Sequence, residues 1–145
     1  MAEGLLEHDA GDHFEVESAG TNPGGVRPEA IAVMKELGID ISAHDSKHVS
    51  VFEDQTFDYV LTVCDNAKES CLAFPKYAIR IHNAFQDPAA HQGTEKERLA
   101  LFRRVRYEIR DYLRMFAQKV TSRRFEKDLG LSPLMEEMEV SPRSI

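Results

Sequence analysis

The stretch Val60-Leu61-Thr62-Val63-Cys64-Asp65-Asn66-Ala67-Lys68-Glu69-Ser70-Cys71 decides how the rest of the chain is read. An apolar run ends at a cysteine, and a second cysteine follows seven residues on; these are the only two in the chain. A short, continuous apolar run reads as a strand of a parallel sheet buried on both faces. Open α/β sheets place their sites just past the C-terminal ends of such strands. Cys64 and Cys71 then have two readings from the residues alone. They are a redox pair, or Cys64 is a small buried hydrophobe at a strand end and Cys71 an incidental loop residue. A disulfide across this spacing needs the two Cα atoms within about 7 Å, so the segment between them would have to curl back or partly unwind.

Downstream of this stretch, Tyr77 to His82 alternates Ile79 and Ile81 and reads as another short strand. Asn83 to Gln92 is a loop carrying Asp87-Pro88. Asp87 is either a general acid at the C-terminal edge of the sheet or the first residue of an ordinary Asp-Pro turn. Thr94 opens a long helix, and Glu97 three residues later completes a capping box. Leu99, Phe102, Val105, Ile109, Tyr112 or Leu113, and Phe116 form its inward stripe. Arg103, Arg104, Arg106, Arg110 and Arg114 lie mostly off that stripe, as a solvated face with ion pairs to Glu108 and Asp111. From Thr121 the periodicity weakens, and residues 121–145 read as a charged tail with one short helix at Leu134 to Met138.

Upstream, Ala2 to His8 reads as the end of a helix and His13 to Glu17 as a strand with Phe14 and Val16 on one side. Ser18 to Gly25 is a turn-rich loop. Pro28 suits the first turn of the next helix and Gly38 the residue after its end, with Ala30, Val33, Met34 and Leu37 at helical spacing between them. Ile39 and Ile41 are expected to pack inward. Asp65 to Ser70 is a short helix or a mobile loop. Strands alternate with helices, so the class is α/β with a small, mainly parallel sheet, in one domain over residues 1–120.

The totals bound the function. Hydrophobic content of 42% and charged content of 30% in 145 residues suit a single globular domain. A net charge of −7 argues against generic binding to nucleic acid or to an anionic membrane surface. It leaves room for a small oxyanion, because local fields at a site can oppose the overall charge. No apolar run approaches the roughly 20 residues that span a bilayer. Met1 to His8 lacks the basic and apolar regions of a secretory signal. The default location is therefore the cytoplasm, where a disulfide is more often catalytic than structural. Gly20, Gly24 and Gly25 do not make a dinucleotide fingerprint, no Walker-type loop occurs, and nothing points to a cofactor. A closed zinc site would need histidines from among His44, His48, His82 and His91, and no local spacing supports one.

Several stretches together resemble the low-molecular-weight tyrosine phosphatase superfamily, and more closely its thioredoxin-coupled arsenate reductase branch. They are Met1-Ala2-Glu3-Gly4-Leu5-Leu6, Ser18-Ala19-Gly20-Thr21, and Gly38 to Lys47. They continue with the strand into Cys64 and Cys71, then Phe85-Gln86-Asp87-Pro88-Ala89, then Gly93-Thr94-Glu95 leading into the arginine-rich helix. The two cysteines joined to the Asp-Pro loop favour the reductase branch over the phosphatase branch. The resemblance implies a three-layer α/β sandwich of the phosphotyrosine phosphatase I type. It implies that Asp87 is the general acid for the leaving oxygen of arsenate or a phosphate-like oxyanion. It implies that Cys64 attacks an arsenylated nucleophile and releases arsenite, and that Cys71 resolves the intermediate. A Cys64–Cys71 disulfide would remain for thioredoxin to reduce. The sequence departs from the branch at Asp65-Asn66, where Gly-Asp is usual, at Leu72, and at Asn83.

The family's first strand and its Cys-x5-Arg loop, which supplies the nucleophile and cradles the oxyanion, have no match in these 145 residues. That strand would lie centrally in the sheet, between His13–Glu17 and Phe57–Val63. The chain as given is therefore expected neither to turn over arsenate nor to bury its sheet normally. Two further readings stand beside the reductase: a phosphomonoester hydrolase like the phosphatases, and a non-catalytic remnant of the fold.

Overall fold

The computed structural model describes residues 1–65 and 78–130. Among the described residues, five regular elements carry the fold. Helix α1 spans Ala2–Ala10, α2 Pro28–Lys35, strand β1 Tyr59–Thr62, β2 Ile79–His82 and helix α3 Glu95–Asp128. Short 3-10 turns lie at Val49–Phe52 and Pro88–Ala90. The two strands are parallel, with Tyr59 opposite Ile79 and Thr62 opposite His82. A parallel pair needs a crossover of a dozen or more residues, and the 63–78 connection has that length. The result is an α/β sandwich in which helices cover a small parallel sheet.

Helix α3 is the spine. Thr94 caps it through a bond from the Glu97 N–H, and the Glu97 carboxylate accepts from the Thr94 N–H at 2.8 Å. Both halves of the expected capping box are present. Its buried stripe is Phe102, Val105, Ile109, Leu113, Phe116 and Val120. Against it pack Leu5 and Leu6 of α1, Val33 and Met34 of α2, and Ile39 and Ile41 from the connection after α2. Pro28 stands in the first turn of α2. Gly38, at φ +74°, ends that helix in a Schellman motif: Ile39 N–H donates to Met34 O at 3.1 Å and Gly38 N–H to Lys35 O at 2.9 Å.

Three expectations need correction. Residues 13–17 carry no β-ladder among the described residues. Phe14 and Val16 are half-buried and His13, Glu15 and Glu17 exposed, so the alternation is there without a backbone partner. Hydrophobic period alone turns the right side chains inward, whereas a strand also needs a neighbour for its N–H and C=O groups. Phe14 still packs on Phe116, with ring centroids 5.6 Å apart.

The strand read as fully buried is only partly so: Tyr59, Val60 and Leu61 are half-buried and Thr62 alone is buried. Among the described residues its one hydrogen-bonded neighbour is β2, so one of its sides carries no described strand. The arginine face is also less solvated than expected. Arg106 is 2% exposed, and its guanidinium reaches Glu36 at 2.8 Å and the Val33 carbonyl. Arg110 and Arg114 converge on Asp9 at 2.7 to 2.9 Å. Among the described residues, Arg104–Glu108, at 3.5 Å, is the one ion pair along the helix of the kind expected.

Helix α3 passes through residue 120 without a break and continues to Asp128. Arg124 donates to the His13 carbonyl at 3.1 Å and lies over the Phe14 ring. No glycine or proline interrupts the helix before Gly130. The expected helix at Leu134 to Met138 and nearly all of Asp65 to Ser70 lie outside the described residues.

Candidate active site

Cys64 lies two residues past the end of β1 as an exposed, free thiol. Cys71 lies outside the described residues. The segment leaving β2 runs beside the segment leaving β1. Asn83 N–H donates to Thr62 O at 2.9 Å and Phe85 N–H to Val63 O at 3.0 Å. The loop that reaches Asp87 is thereby tied to the residue just before Cys64. Phe85 anchors the same loop to α3, edge-on to Tyr112 with ring centroids 5.6 Å apart. Burial raises the Tyr112 hydroxyl above its ordinary pKa, so the anchor is an uncharged phenol near neutral pH.

Asp87 is exposed and caps the 3-10 turn at Pro88–Ala90, its Oδ1 accepting from Ala89 N–H at 2.9 Å. Pro88 is buried beneath it. This is the geometry of an Asp-Pro turn. A carboxylate has two oxygens, so capping through one leaves proton chemistry open to the other. A cleft of about 460 Å³ borders this loop at Ala89 and is lined also by Arg27, Glu29, His91 and Arg98. Neither Cys64 nor Asp87 lines it. Of the three predicted site residues, Cys64 and Asp87 lie on the segments that follow the C-terminal ends of β1 and β2, where the topology of α/β folds places sites.

From the residues alone, His82 has no role beyond its place among the four histidines that a zinc site would need. Strand pairing gives it a place. Its register partner is Thr62, and Nδ1 lies 2.6 Å from Thr62 Oγ1. Nε2 lies 3.2 Å from Asp65 Oδ1. One imidazole therefore touches residues on both sides of Cys64. The alternation of Ile79 and Ile81 put His82 at the strand end, which was the available signal. Register with Thr62 requires the paired sheet.

The remaining histidines named for a metal site are dispersed. His44 faces Glu3 at 3.5 Å and His48 caps the Val49–Phe52 turn through Ser50. Among the described residues no three His, Cys, Asp or Glu side chains gather as metal ligands, and no described helix is long and apolar enough to cross a membrane.

The chain is similar in sequence and fold to known proteins. A family profile for Low molecular weight phosphotyrosine protein phosphatase matches residues 1–126. The arsenate reductase of Halalkalibacterium halodurans is 43% identical over 118 residues, covering 81% of this chain and 85% of that protein. The arsenate reductase of Bacillus subtilis is 42% identical over the same length. Among solved structures, an arsenate reductase in its oxidized state superposes with a TM-score of 0.70 at 27% identity, covering 82% of this chain and 86% of that one. An arsenate reductase in a phosphate binding state gives 0.69 at 27% identity, over 81% and 86%. A family profile matched over residues 1–126 and relatives 43% and 42% identical over 118 residues lead to one conclusion: the chain belongs to the low molecular weight phosphotyrosine protein phosphatase family.

Proposed function

We propose that the chain carries the second half of an arsenate reductase thiol relay. The observation that carries this reading is the exposed, free Cys64 at the sheet's C-terminal edge, tied to the Asp87 loop, in a chain 43% identical to an arsenate reductase. The substrate is arsenate, as an oxyanion. A relative solved in a phosphate binding state supports an anion of that shape. Asp87 protonates the oxygen that leaves when a nucleophilic thiolate forms a sulfur–arsenic bond. The Cys64 thiolate then attacks that sulfur. A sulfur–sulfur bond forms, the sulfur–arsenic pair stays on arsenic, and arsenic(V) leaves as arsenite. Cys71 attacks Cys64, frees the first thiol, and leaves a Cys64–Cys71 disulfide. Thioredoxin returns the two electrons. The reaction takes place in the cytoplasm, in a domain over residues 1–120 whose last helix runs on to Asp128, into the charged stretch 121–145.

No Cys-x5-Arg occurs within these 145 residues. These 145 residues alone are therefore proposed to carry the attacking and resolving thiols of the relay without the thiol that starts it. The test uses two proteins, the 145-residue chain and the same chain fused in frame to a strand and a Cys-x5-Arg loop. Each is incubated with arsenate, thioredoxin, thioredoxin reductase and NADPH, and arsenite is measured. Turnover is expected only from the fusion, with a fall of at least a hundredfold, on the order seen for removal of a catalytic nucleophile, in Cys64→Ser. Unchanged arsenite release in that variant would overturn the relay.

A further inference from the structure

We propose that His82 is a positioning residue for Cys64, acting through Thr62 and Asp65, and this rests on the relay reading of Cys64. The geometry is a bracket. Thr62 Oγ1 lies 2.6 Å from Nδ1 and Asp65 Oδ1 lies 3.2 Å from Nε2, so the ring fastens the residues at 62 and 65 and encloses Val63 and Cys64 between them. The inner half is well protected, because Thr62 is 8% exposed and its backbone carbonyl also accepts from Asn83 N–H. The outer half faces water, because the Asp65 side chain is 84% exposed and that of His82 26%.

The atoms fix the roles. A neutral imidazole accepts the Thr62 hydroxyl proton at Nδ1 and donates Nε2–H to the carboxylate; a protonated one donates at both ends. In either state Asp65 is held toward His82. This matters to the neighbouring thiol. A carboxylate one residue away disfavours the thiolate that performs disulfide exchange. His82 gives that charge a partner and fixes the turn on which the sulfur sits. The other charged residue on the same face of β2 is Arg80, two positions back from His82.

The test reads Cys64 directly, with no arsenate, in a Cys71→Ser background of the 145-residue chain. The second-order rate of alkylation by iodoacetamide is followed from pH 5 to pH 10. His82→Leu is expected to slow alkylation at pH 7 about threefold, the order of effect of one unpaired neighbouring charge on thiolate exchange. Adding Asp65→Asn to His82→Leu is expected to bring the rate back within twofold, which a general loosening of the fold would not do. His82→Gln, which can bridge both partners, is expected to stay within twofold. Thr62→Val, which keeps the shape and removes the hydroxyl, is expected to slow the reaction in the same direction and serves where His82→Leu folds poorly. A rate within twofold of the parent in both His82→Leu and Thr62→Val would overturn the proposal. So would a slow His82→Leu rate that Asp65→Asn leaves unrestored. Failure here leaves the arsenite assay standing, and failure of that assay leaves the alkylation result standing, so the two readings fall separately.

Discussion

Asp9 shows how single residues hold this molecule together. It accepts from Arg110 at 2.7 and 2.8 Å and from Arg114 at 2.9 Å, joining α1 to α3. Its hydrogen bond from Arg110, helped by His8 and Arg114, holds its carboxyl well below the usual carboxylate range. A depressed folded-state pKa adds stability that is complete above the unfolded value, about 3.9, and is lost as pH falls below it. Asp9→Asn should lower stability by about 2 kcal/mol at pH 6, the scale of a hydrogen bond to a charged group. The difference from the parent should shrink at pH 3, and urea midpoints at the two pH values measure it. Arg106 is the second case. Glu36→Ala leaves its buried guanidinium with the Val33 carbonyl and the Tyr107 ring but no carboxylate, and should cost about 2 kcal/mol. A fully buried pair would cost more, but the Glu36 side chain is 39% exposed and water shares its charge. Arg106→Met should cost less, because Glu36 keeps Arg103 at 2.8 Å and no buried charge is stranded. Both follow from thermal melts. Gly4 is legible only in space. A Cβ there would meet the Ile41 side chain at 2.8 Å, so Gly4→Ala should destabilise by about 1 to 3 kcal/mol despite alanine's better helix propensity.

At the scale of elements, local chemistry wrote the ends of the helices. The Thr94 capping box and the Pro28 start of α2 were readable because their partners lie within a few residues. Thr94→Ala should cost about 1 kcal/mol in urea denaturation, the usual value of a lost cap. Gly38→Ala, forced to φ +74°, should cost a similar amount. The apolar stripe of α3 was legible for the same reason, since helical neighbours are three and four residues apart. Its arginines were not. The partners of Arg103, Arg106, Arg110 and Arg114 lie 67 to 105 residues away in sequence. Alternation at 13–17 fixed which side chains turn inward, and it could not supply a neighbouring strand.

Across the whole molecule the parallel sheet is the exposed feature. Among the described residues β1 pairs only with β2, and Ile79 is 55% exposed. Unpaired strand edges with apolar side chains template pairing with another chain. The 145-residue protein should therefore self-associate with rising concentration, and a sedimentation profile that stays monomeric from 1 to 100 μM, a range set here on the order of that in which exposed edges aggregate, would contradict this. The cysteine order, the Asp-Pro loop, the capping box and the alternation of strand with helix were determined by the sequence itself, because each is a local pattern with a local physical cause. Tertiary structure alone decided that Asp9 and Glu36 gather the arginines and that His82 brackets Cys64. Those depend on strand register and helix packing, which bring together atoms that no spacing along the chain relates.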